Sequence, residues 1–178
     1  MQSDGRDSTL HRMRLRKEER ADTSASEANT KMATIAARLV KVIESNADKL
    51  SRELVESVLG SDRTSGMRRR DPAELLQRAK EIFGDLGNWL LNKTEAEIEQ
   101  RYRQIGEQLA AQGIPLSHWT WSLAMGRQQI WRLLQTEAFP EGAFEVFGQL
   151  ELVQTLDQFF DRAVYHAVVA YEAAGRKT

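Results

Sequence analysis

The chain has 178 residues, 25 basic against 26 acidic side chains and no cysteine. That length suits one domain with its own core. The balanced charge points away from nucleic acid and membrane surfaces as partners, and the missing cysteine excludes disulfides, thiolate catalysis and zinc–thiolate sites.

Residues 1–30 are rich in Ser, Asp, Arg and Thr and read as a disordered polar tail. Residues 31–178 read as a single helical domain. Ile35, Leu39 and Val42, then Leu50, Leu54 and Val58, recur at helical spacing, as one helix or as two broken near Ser45-Asn46. Gly60 ends this stretch, and SDRTSGMRRR reads as a loop. Asp71-Pro72-Ala73-Glu74 then carries a start signal: Asp caps, Pro suits the first helical position, and Glu74 can reach back to the cap. Leu75, Ala79, Ile82, Leu86 and Trp89 continue in steps of four and three. Thr94 with Glu97 forms a second capping box, opening a helix through Ile98, Tyr102, Ile105 and Leu109 that Gly113 and Pro115 stop. Another helix runs from about Leu116 to Gln135, and after Pro140 and Gly142 a last one from about Ala143 to Ala173. Strand alternation is absent, so the predicted class is all-α, a bundle of five to six helices.

On a helical wheel of the Leu116–Gln135 segment, Leu116, Trp119, Leu123, Gly126, Ile130, Leu133 and Leu134 share one arc, the core face. Trp131 lies at its edge. Trp121 and Met125 fall on the far, polar side, where either another helix covers them or a partner protein does; both residue types are favoured at protein contacts.

The last helix carries two apolar seams. One is Val146, Leu150, Val153, Asp157, Phe160, Val164, Ala167 and Tyr171; the other is Leu152, Leu156, Phe159, Ala163, His166 and Ala170. Either this helix is central to its own bundle, or one seam faces the bundle and the other a second copy. The second option is the preferred expectation: a homodimer through Leu152, Leu156, Phe159, Ala163, His166 and Ala170, with Asp157 and His166 fixing register.

Catalytic and metal-binding patterns are scarce. The histidines are His11, His118 and His166, with no Glu-x-x-His or His-Glu-x-x-His spacing, no glycine-rich phosphate loop and no Ser/His/Asp set. Glu95, Glu97 and Glu99 with Arg101 and Arg103 read as a solvated helix face. A nucleic-acid reading would use Arg12 to Arg20 and Arg68 to Arg70, but the balanced charge speaks against it. The expectation is a non-enzyme with no metal and no cofactor. The alternative is a helical domain binding a small apolar, haem-like ligand near Trp131 and His166. No apolar run reaches the roughly 18 residues of a membrane span, and the first residues lack a signal-peptide core, so a soluble cytoplasmic protein without membrane contact is expected.

The run from Asp71 to Arg132 resembles the N-terminal sensor domain of stressosome co-antagonists of the RsbR type, and related domains that precede bacterial sensor kinases. Gly106, the turn Gly113-Ile114-Pro115-Leu116-Ser117, Arg127 and the apolar run to Leu134 carry the likeness. Phe159-Phe160-Asp161-Arg162-Ala163-Val164-Tyr165, with Tyr171, looks like the end of that domain. The resemblance implies a helical, globin-like or bundle domain without haem, dimeric, passing a signal through its final helix. Such domains usually precede an output region, so the expectation is either a stand-alone relative acting by binding or an output partner on a separate chain; the expected partners are a second copy and a separate signalling protein. The expected function is a sensor and dimerisation module of bacterial stress signalling.

Overall fold

A computed structural model describes residues 26–27, 30, 33–137 and 143–176. Among these residues every regular element is helical: α1 (33–45), α2 (Ala47–Gly60), a 3-10 segment (Asp62–Arg69), α3 (Pro72–Gly84), α4 (Leu86–Leu91), α5 (Glu95–Ala111), α6 (Leu116–Glu137) and α7 (Ala143–Gly175). The all-α class holds. The expected tail falls mostly outside the described residues, although Ser26, Glu27 and Thr30 are helical.

Local chemistry sets the boundaries. Asn46 separates α1 from α2, its side-chain amide donating to the Val42 carbonyl at 2.9 Å in the manner by which Asn competes with the helical ladder. Asp71 caps α3, accepting from the Ala73 N–H at 2.9 Å with Pro72 in the first turn. Glu74 does not complete the expected box; it accepts from Arg70 at 2.7 Å and Arg78 at 3.0 Å instead. The box of Thr94 and Glu97 at the start of α5 is complete. Two features differ from the sequence expectation. The stepping through Leu75 to Trp89 hides a break at Asp85, which makes α4 a separate short helix and raises the helix count above five to six. The presumed loop before Asp71 is a 3-10 segment, tied down by Arg68 Nε to the Leu59 carbonyl at 2.8 Å and Arg69 Nη1 to the Gly113 carbonyl at 3.0 Å. Those arginines hold backbone rather than reaching for phosphate. Gly113 itself takes φ 61°, the left-handed turn that glycine relieves.

One core runs through the bundle, from Leu39 and Ile43 of α1 through Ile98, Tyr102 and Leu109 of α5 to Phe159, Ala163 and Ala167 of α7. The tightest crossing is α5 on α7. A Cβ at Gly106 would overlap the backbone carbonyl of Ala167, and Ala163, Ala167 and Ala170 are all buried. Small side chains on both helices let the backbones meet, so α7 lies against α5 along much of its length.

Candidate functional site

The inner face of α7 is the seam expected to pair two copies. Leu152, Leu156, Phe159, Ala163, His166 and Ala170 are all buried inside one chain, Phe159 fully so. That expectation is corrected: α7 is central to its own bundle on this side, because α5 presents the bare backbone of Gly106 to the alanines. The other seam divides along its length. Phe160 and Ala167 are buried, whereas Val146 and Leu150 are 43% and 50% exposed, next to Phe147 at 57%. Asp157 on this seam faces Arg127 of α6 at 3.3 Å, with both side chains partly in solvent; such a pair contributes about 0–1 kcal/mol. Trp131, at the edge of α6, is 39% exposed. It lines a shallow groove with Leu134, Val153 and Leu156.

His166 and Trp131 do not form one pocket. Trp131 stands beside Val153 to Asp157, and nine further residues of α7 place His166 about 14 Å along the helix axis. The groove at Trp131 encloses only about 10 Å³, no room for a flat ligand. His166 Nε2 lies 2.8 Å from Glu95 Oε1. A carboxylate can only accept, so Nε2 carries the proton and the ring is a tie rather than an open ligand. A wheel drawn down the axis hides this separation, because it removes the rise.

Glu95 also accepts from Arg162 at 2.9 Å, so three side chains fasten the first turn of α5 to α7. The hydrogen bond from His166, then that from Arg162, holds its carboxyl below the ordinary 4.5. A carboxylate whose folded pKa is lowered stabilises the fold above its unfolded pKa and loses that contribution as pH falls through the folded value. Thermal melts of the native chain and Glu95→Gln should therefore differ at pH 7 and converge once pH drops well below 4.5. A difference that stays constant down to pH 3 would contradict the tie. Of the acidic residues and arginines that read as a solvated face of α5, Glu99 pairs with Arg103 one turn on, at 3.6 Å. Arg101 instead reaches across to Glu81 of α3 at 3.0 Å.

Trp121 is 41% exposed, and the guanidinium of Arg63 lies over its ring at 4.8 Å. Met125, one turn on, packs half-buried against the core.

A further concavity involves residues that, apart from Arg70 in its basic run, sequence reasoning did not single out as a site. A cavity of about 110 Å³ sits between α2, the 3-10 segment, α3, α4, α5 and α6. Val58, Met67, Tyr102 and Trp119 lie deep in it, and Leu75, Arg78, Ile82 and Arg101 are partly exposed at its rim. Arg70 lines it with a side chain only 3% exposed, and its Nε is buried without a hydrogen-bond partner. The run Arg68-Arg69-Arg70 does not reveal which member turns inward. The i,i+4 chain Arg70–Glu74–Arg78 would have been the usable signal.

Aromatic contacts join this cavity to α7. Tyr102 lies 6.4 Å from Trp89 and 6.3 Å from Trp119, all three on the cavity wall. Phe159 of α7 is 6.0 Å from Trp89 and 6.0 Å from Tyr102. Burial pushes the Tyr102 phenol far above its usual pKa, so this cluster is uncharged.

These features define an all-α domain built around one long final helix, with an apolar cavity on one side of the aromatic cluster and an exposed apolar strip at the start of that helix. The sequence matches the family described as the RsbT co-antagonist protein rsbRD N-terminal domain over residues 44–177, most of its length. The chain belongs to this family, a regulatory domain of stress signalling. No curated protein and no solved structure matches it. Among the described residues no helix is long and apolar enough to cross a membrane, and no group of three or more His, Asp or Glu side chains is placed to hold a metal ion.

Proposed function

We propose that the domain is a non-enzymatic input module of stress signalling that associates with a second copy through the outer face of α7. The observation that carries this reading is that one helix bears both an inner aromatic, Phe159, against the cavity wall and an outer apolar strip, Val146, Phe147 and Leu150, one turn before Val153, which shares a groove with the exposed Trp131 of α6. Exposed apolar side chains in succession mark interaction surfaces. A strip along a single helix is also self-complementary about a twofold axis, which favours a second copy as its occupant. A shift of Phe159 would move the same rigid helix whose other face holds the partner, the kind of small helix displacement that switches interfaces. Trp121, under Arg63, is the candidate contact for a separate signalling protein.

Light scattering across a dilution series tests the association. The native chain should run as a dimer, and Leu150→Glu should weaken the dimer at least tenfold, about 1.4 kcal/mol, while helical circular dichroism stays unchanged. A native chain that is monomeric at every concentration would overturn the reading.

A further inference from the structure

We infer that the cavity beside Arg70 is a binding site for a small organic anion, one carboxylate on a short apolar body. The lining gives the chemistry. Three arginines, Arg70, Arg78 and Arg101, border the cavity and no acidic residue does; the other lining residues are apolar or aromatic apart from Ser122. Glu74 and Glu81 pair with these arginines but lie outside the lining, so the charge presented to the cavity is positive.

Arg70 is the anchor. Its Nη2 donates to Glu74 Oε1 at 2.7 Å, while Nε, buried and without a partner, remains free to donate. A buried donor left unsatisfied is costly, and charged donors more so. An entering carboxylate would supply the missing acceptor through a charge-assisted hydrogen bond from Nε. Ser122 does not compete as a donor, because its Oγ already lies 2.9 Å from the carbonyls of His118 and Trp119.

Size limits the apolar part. An engineered apolar cavity of about 150 Å³ holds the six carbons of benzene, so about 110 Å³ takes an apolar chain of roughly four carbons. Val58, Met67 and Ala79 would cover that chain, with Tyr102 and Trp119 beside it. The inference stands on the cavity alone and does not need the association face of α7.

Calorimetric titration of the full chain with pentanoate tests the site, with 1-pentanol as the neutral counterpart of similar length. Trp89 and Trp119 line the cavity whereas Trp121 and Trp131 do not, so tryptophan fluorescence gives a second readout. Pentanoate should bind saturably and about tenfold more tightly than pentanol, the margin of a charge-assisted hydrogen bond over a neutral one. Arg70→Met should bring pentanoate down to pentanol's affinity, and Ala79→Leu, which fills the cavity, should abolish both. The inference is overturned if pentanoate does not bind, if it binds no more tightly than pentanol, or if Ala79→Leu leaves its affinity unchanged. Should Arg70→Met fail to fold, the pentanoate–pentanol comparison still tests the charge and Ala79→Leu the location.

Discussion

Gly106→Ala should destabilise the domain by about 3 kcal/mol, at the upper end of what overpacking costs. The added Cβ would meet the carbonyl of Ala167, a backbone atom that cannot rotate aside. Relief therefore requires α5 and α7 to separate along the crossing, which loosens Ala163 and Ala170 as well. On intrinsic propensity alone the substitution would stabilise the helix by up to about 1 kcal/mol, because glycine is a poor helix former. The two effects have opposite signs, so the experiment is decisive. Urea unfolding followed by circular dichroism should show a markedly lower midpoint. A midpoint equal to or above the native one would mean that the helices do not meet at Gly106.

Phe159→Ala should have an effect of similar or greater size, about 3–5 kcal/mol, the range for emptying a buried phenylalanine site. Its ring is fully buried and touches Trp89, Tyr102 and Phe160. The loss should not depend on protein concentration, since every one of these contacts is made within one chain. If melting of Phe159→Ala approached that of the native chain on dilution, the residue would be acting between copies. Phe159→Glu should leave no folded monomer at all, because an unpaired buried carboxylate cannot be accommodated among those rings.

Much of this arrangement was legible in the residues. Thr94 and Glu97 announce the start of α5, Asp71-Pro72 that of α3, and Gly113 with Pro115 the turn into α6, because capping and backbone restriction are local effects. The motifs around Gly106 and Gly113–Ser117 also pointed to the right family. What could not be read is the orientation of α7. Both of its seams are apolar at the same period, so periodicity alone cannot say which one meets α5. The deciding feature, a bare backbone at Gly106, belongs to the other helix. The cavity escaped notice for a related reason. Its walls come from six elements, and Arg70 looks like its two exposed neighbours until the fold turns it inward. The break at Asp85 was masked because the four-and-three stepping continues across it.

In the proposed arrangement α7 divides its labour, its inner face closing the core and its outer strip meeting a second copy. The absence of cysteine allows a direct test, since Glu151→Cys gives the chain a single thiol at an exposed position beside the strip. Spin-labelling that thiol and measuring the dipolar coupling between copies reports whether the strips meet. A short, well-defined intermolecular distance that Leu150→Glu abolishes is the predicted result. No coupling between labels at concentrations where the chain is dimeric would contradict it and move the contact elsewhere on the surface.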